Sequence, residues 1–162
     1  MNDIPEYWVL KDTREKDGYE FSPFSYCKGM KLHKLDTGDY TILGLEDKLV
    51  IERKASVSEL AANISRDRER FDSELDRMTS FPYRFLILEF TLDEMHKYPN
   101  SAAGIPLELR NTAKVSGKFL CKRMTELHLD LGIHVVYAGS KLGGFLYTQR
   151  IMKTLNEMHK DR

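Results

Sequence analysis

The segment GDYTILGLEDKLVIERK, residues 38–54, sets three charged side chains in a fixed order on two short apolar runs. It closes on Ile51-Glu52-Arg53-Lys54. Strand side chains alternate between faces, so Glu52 and Lys54 project to one side and Arg53 to the other. At its start stands Asp39, after the turn Asp36-Thr37-Gly38 and before the run Tyr40–Leu43. If the two strands pair, Asp39 comes close to Glu52. Two carboxylates and a lysine on one sheet face suit metal-assisted phosphodiester hydrolysis. Carboxylate oxygens hold a hard ion that keeps waters and takes substrate phosphate. Such an ion polarises the phosphoryl oxygen and lowers the pKa of a bound water. The lysine orients that water or balances charge in the transition state. Glu-x-Lys alone is ordinary surface decoration. The order of turn, Asp, strand, Glu-x-Lys and helix gives the pattern its weight.

Upstream, Tyr7-Trp8-Val9-Leu10 reads as a buried strand leading to Asp12. Residues 13–29, with Gly18, Pro23 and Gly29, read as a mobile loop. Strands at Met30–Leu35, Tyr40–Leu43 and Lys48–Lys54 then suggest an antiparallel meander. Downstream, Ser56 or Ser58 caps a helix running through about Ile64. Phe71, Leu75 and Met78 mark a second helix by their i, i+4, i+7 spacing. YRFLILEF, residues 83–90, is the most apolar stretch and reads as a central strand. Residues 98–113 read as a loop or broken helix. A helix from about Val115 to Leu131, a strand at Ile133–Ala138 and a helix from about Ser140 to Lys160 complete the chain. Sheet first, then alternating helix and strand, predicts a three-layer α/β core with a mixed central β-sheet flanked by helices.

The 162 residues form one expected domain, 1–162, with 41% hydrophobic and 31% charged residues. No apolar run nears the roughly 18–20 residues of a membrane span, and no signal-peptide pattern opens the chain, so an intracellular location is expected. Cys27 and Cys121 lack metal-ligand spacing and are expected to be reduced. The five histidines form no zinc motif. A formal net charge of zero leaves any DNA surface to local segregation of charge.

Asp12-Thr13-Arg14-Glu15, Gly38-Asp39-Tyr40 and Ile51-Glu52-Arg53-Lys54 together resemble the D-x-R-E, G-D-Y and E-R-K signature of XPF-type nuclease domains. These are a branch of the restriction-endonuclease-like PD-(D/E)xK superfamily. The resemblance covers residues 7–90 well and 110–160 loosely. It implies that Asp39 and Glu52 are metal ligands, with the Arg53 backbone carbonyl as a further one and Lys54 as the catalytic lysine. It places Asp12 and Glu15 in the same cleft, as accessory ligands or water-positioning groups. Arg14 and Arg53 would hold the acidic cluster together or meet phosphate. The implied cofactor is Mg²⁺, with Mn²⁺ as substitute. The implied activity is endonucleolytic cleavage of DNA, including branched or structured DNA in repair or recombination. Two departures stand out. The family often has Asp four residues after the lysine, where this chain has Ser58 followed by Glu59. The helix-hairpin-helix modules of larger relatives are not expected after the last helix.

Lys114, Lys118 and Lys122 fall on one stripe of the helix after Val115. That stripe is either a solvated face or a rail for phosphate. Among Arg66, Arg68 and Arg70 the spacing selects no DNA contact. In the last helix, Phe145, Met152 and Leu155 share a stripe flanked by Ile151 and Met158, which core packing explains as well as a partner surface does. The resemblance implies a homodimer through this helix. Two rival functions remain open: a non-catalytic DNA-binding or scaffolding module, disfavoured by the presence of Asp39, Glu52 and Lys54, and a nuclease acting on RNA or in defence.

Overall fold

The computed structural model describes residues 3–100 and 113–161. Among them the strands are β1 (Tyr7–Lys11), β2 (Cys27–Leu32), β3 (Tyr40–Ile42), β4 (Leu49–Lys54), β5 (Tyr83–Leu88) and β6 (His134–Tyr137). The helices are α1 (Val57–Ile64), α2 (Arg68–Met78), α3 (Leu92–His96), α4 (Gly117–Leu131) and α5 (Lys141–Met158). The sheet order is β2-β1-β3-β4-β5-β6. β3 pairs antiparallel with β1 and β4, and the remaining neighbours run parallel. A mixed sheet is therefore sandwiched between helices, as the three-layer expectation has it.

The expected meander needs correction. Residues 27–32 do not hairpin onto β3 but pair in parallel with β1 at the sheet edge. Composition explains the swap. β1 buries Tyr7, Val9 and Leu10 and suits an interior position, whereas β2 exposes Lys28, Lys31 and Leu32 and tolerates an edge. The mobile loop expected over 13–29 is also not free. Tyr19 and Phe21 are buried in the core, and β2 begins at Cys27 within that loop. The segment expected as a loop at 98–113 lies mostly outside the described residues.

One core fills the space under α1, α2, α3 and α4, built from Leu60, Phe71, Leu75, Met95, Leu120, Met124 and Leu127 against Val50, Leu86 and Leu88. A second core on the other sheet face packs Met152 and Leu155 of α5 against Val9, Tyr19, Tyr40, Ile51 and Ile87. Met152 and Leu155 are thus core residues, with Phe145 and Ile151 packed beside them. The exposed apolar side chains of α5 are Leu142, Leu146, Tyr147 and Met158. No helix among the described residues is long and apolar enough to cross a membrane.

Capping places α1 directly behind β4. Ser56 Oγ accepts the Glu59 N–H at 3.1 Å, and Glu59 Oε2 accepts the Ala55 N–H at 2.9 Å, a capping box shifted by one residue. The turn before β3 depends on Gly38, at φ +83. A Cβ there would stand 2.5 Å from Val50 Cγ2 and 3.2 Å from Ile51 O. Gly38→Ala should therefore cost about 1–3 kcal/mol in urea unfolding, from left-handed backbone and the clash together. An unchanged midpoint would mean that the turn relaxes freely.

Candidate active site

Asp39 stands where the chain enters β3 and is tied on both sides. Its N–H donates to Ile51 O at 2.8 Å, and its carbonyl accepts the Asp12 N–H at 2.8 Å. Its Oδ2 accepts the Arg53 N–H at 2.8 Å. Within a strand the N–H and C=O of one residue point to the same edge. The Arg53 carbonyl therefore also lies on the side of Asp39. Glu52 and Lys54 share one sheet face, with Lys54 Nζ 3.4 Å from Glu52 Oε1 and 4.0 Å from Glu59 Oε1. The Lys54 ammonium also sits 5.1 Å from the Phe71 ring centroid. The Arg53 side chain passes to the opposite face, where it pairs with Glu89 and reaches Glu15 Oε1 at 3.4 Å.

Asp12, Arg14, Glu15, Asp39, Glu52 and Arg53 line one open cleft of about 350 Å³, together with Glu59, Arg70, Glu74 and Arg77. Negative charge dominates its floor. Burial raises the Asp39 pKa well above the usual range, and the charges of Glu52 and Glu15 raise it further against the opposing Arg53 N–H. Glu52 is pushed up to about 7, first by burial and then by Glu74 and Glu15, although Lys54 opposes the shift. For Lys54 burial works downward, but Glu52 and Glu59 outweigh it and raise its pKa. It is a cation, not a base, at neutral pH.

This donor set fits a hard divalent ion. Crowded carboxylates that hold on to protons can exchange them for a cation, with a backbone carbonyl on the same edge. Among the described residues no group of three or more His, Cys, Asp or Glu side chains is arranged to ligate an ion. Two carboxylates completed by waters and substrate oxygens is the arrangement that suits Mg²⁺.

Asp12, expected as an accessory ligand or water-positioning group, lines the cleft and also braces the chain. Its Oδ1 accepts the Leu35 N–H at 2.9 Å and its Oδ2 accepts Arg14 Nε at 2.9 Å. Burial works to raise its pKa, yet these donors bring it below the usual value. Arg14 Nη2 also donates to Leu35 O at 2.6 Å. The pair braces the chain into and out of the cleft. Lys118 and Lys122 are exposed on α4, while Lys114 precedes the Ser116 cap and lies off the helix. None of the three lines the cleft.

Arg70, Glu74 and Arg77 went unselected in the sequence. They follow an i, i+4, i+7 pattern one residue ahead of buried Phe71, Leu75 and Met78, which places them about 100° around α2 from the core stripe. The spacing that located the helix could therefore have located its cleft face. Arg77 Nε donates to Thr37 Oγ1 at 3.3 Å. Arg70 has no ion-pair partner among the described residues. Glu89 was also missed, because it sits in the most apolar stretch of the chain.

No protein-family model matches the chain, and no curated protein matches it in sequence. Solved structures do. XPF from Aeropyrum pernix is similar with a TM-score of 0.59 and 21% identity, covering 93% of this chain and 60% of that one. XPF from Aeropyrum pernix in complex with DNA is similar with a TM-score of 0.63 and 20% identity, covering 94% of this chain and 66% of that one. The chain thus has an XPF-like fold and spans about 60–66% of the length of these two structures.

Carboxyl groups with raised pKa values penalise the fold once they ionise. An unfolded chain loses those protons near pH 4. Between roughly pH 4 and the Glu52 value of about 7 the folded state holds more protons, so stability falls as pH rises. Asp39→Asn keeps the acceptor for the Arg53 N–H and removes the charge. In metal-free buffer at pH 8 it should raise stability by about 1 kcal/mol, or roughly 2–4 °C in Tm. A lower Tm would contradict this electrostatic picture.

Proposed function

We propose that this chain, on its XPF-like fold, is a divalent-metal-dependent nuclease that hydrolyses DNA phosphodiester bonds. The observation that carries the reading is the cleft floor. Asp39 and Glu52 crowd their carboxylates beside the Arg53 carbonyl edge, and the Lys54 ammonium lies 3.4 Å from Glu52. DNA as substrate is supported by the similar structure described as a complex with DNA. Asp39, Glu52 and the Arg53 carbonyl would hold Mg²⁺, with Mn²⁺ as substitute. The ion supplies Lewis acidity and a bound water of lowered pKa. Lys54, protonated and against Phe71, offers a positive charge to the phosphoryl oxygens in a setting with little competing water. Glu15 would position a water beside Asp39. Arg70 and Arg77 bring cations to the cleft rim for the flanking phosphates. Lys114, Lys118 and Lys122 would meet phosphate farther along a duplex.

The test is a cleavage panel in Mg²⁺ or EDTA on duplex, single-stranded, flap, fork and four-way-junction DNA, and on RNA. Asp39→Asn and Glu52→Gln should weaken metal binding and reduce single-turnover cleavage by at least about 10²-fold. Lys54→Ala should keep metal binding and lose turnover. DNA binding should survive in all three, because contacts outside the metal site dominate affinity. Wild-type rates for both carboxylate variants would sink the assignment. Preference for RNA would redirect the substrate class.

Pairing through α5 is part of the same proposal, but through its exposed Leu142, Leu146 and Tyr147 face. Leu146→Glu should give a folded monomer by light scattering. A wild-type protein that is monomeric at tens of micromolar, the range of weak interfaces, ends this idea.

A further inference from the structure

A buried polar network lies on the sheet face opposite Glu52 and Lys54, and its members converge on Arg53. Glu89 follows β5, and its N–H donates to Lys54 O at 3.0 Å, which ties it to the end of β4. Its carboxylate takes the Arg53 guanidinium side-on, with Oε2 accepting Nε and Oε1 accepting Nη2 at 2.9 Å. Tyr19 donates its hydroxyl to Glu89 Oε2 at 2.6 Å. Its ring stacks on Tyr40 at 5.3 Å and faces the guanidinium at 5.3 Å. The Tyr40 hydroxyl in turn accepts the Tyr19 N–H at 2.6 Å. Gly144 of α5 is the space that admits the Tyr19 hydroxyl, since a Cβ there would collide with it. Glu89 is 8% and Arg53 6% exposed, so both charges are largely removed from water.

Two further groups of Arg53 reach toward the cleft. Its Nη1 is 3.4 Å from Glu15 Oε1, and its backbone N–H holds Asp39 Oδ2. Glu15 and Asp39 line the same cleft. An ion pair buried this deeply is a poor source of net stability, because desolvation offsets attraction. What it does fix is geometry. A bidentate carboxylate locks the plane of the guanidinium and so the direction of its remaining N–H groups.

We infer that Glu89 is a positioning residue of the cleft: through the Arg53 guanidinium it sets where the Glu15 carboxylate stands beside Asp39. The inference rests on the metal-nuclease reading for its consequences, though not for its geometry. It resembles the outer-shell groups of metal sites, whose loss typically reduces metal affinity or activity by about 10–100-fold.

The test compares wild type with Glu89→Gln, which keeps shape and removes charge, and with Tyr19→Phe, which removes only the hydroxyl on Glu89 Oε2. Three readouts are taken on the full chain. In proton–nitrogen NMR, the Arg53 Nε–H should be slow to exchange in wild type and fast in Glu89→Gln. In calorimetric titration with Mn²⁺ alone, Glu89→Gln should bind about 10-fold more weakly. On DNA in Mg²⁺, kcat should fall about 10–100-fold with KM within about twofold. Tyr19→Phe should move each readout the same way by less, and it decides the matter if Glu89→Gln does not fold. A merely structural Glu89 predicts a lower Tm with Mn²⁺ affinity and kcat intact in the folded protein, and that result overturns the inference. If wild type neither binds Mn²⁺ nor cuts DNA, the nuclease reading fails on its own, and the Arg53 resonance still decides whether Glu89 holds that side chain.

Discussion

Carboxylates crowded into a half-buried notch repel one another and lose hydration, and most of the polar structure of this chain answers that cost. Asp39, Glu52 and Glu15 converge where β3, β4 and the segment after β1 meet. The Arg53 N–H, the Lys54 ammonium and the Arg53 guanidinium each take up part of the charge. The compensation is incomplete, since Asp39 and Glu52 keep raised pKa values. A fold selected for stability alone would place apolar or neutral groups there. Residual strain of this kind is typical of functional sites.

The sheet divides the work between its faces. Strand alternation sends Glu52 and Lys54 toward α1 and α2, where Phe71 and the capping residue Glu59 surround the ammonium. The same alternation sends Arg53 toward Tyr19, Glu89 and the packed face of α5. Three consecutive residues therefore bind two cores together across one strand. Asp12 and Arg14 close the arrangement from a third direction by fixing Leu35, so the chain enters the Gly38 turn at a set height.

Much of this was legible in residues 38–54. Alternation, a glycine turn and three charged side chains sufficed to place Asp39 near Glu52 and Lys54, because short strands joined by a short link have few ways to pair. The capped helix after β4 was legible too, from Ser56 or Ser58, and the structure caps it with Ser56. The expected meander went wrong at β2 because hairpin signals are local and say nothing about a strand inserted from earlier in the chain. The Phe145, Met152 and Leu155 stripe stayed open between core and partner surface for a related cause: an apolar helix face looks the same whether a sheet or another molecule covers it, and here the sheet covers Met152 and Leu155.

The sequence by itself determined the fold class, the residues at the cleft floor and the face each takes, since periods of 2.0 and 3.6 are local properties of backbone geometry. Only the tertiary structure decided that Asp12 is a brace, that Arg70, Glu74 and Arg77 border the cleft, and that Glu89 seizes Arg53 from behind. Those roles depend on contacts between residues as far apart as 12 and 35 or 19 and 89. Whether a charged side chain is a ligand, a brace or a solvated ornament is fixed by which partner its hydrogen-bonding groups meet, and long-range packing alone settles that.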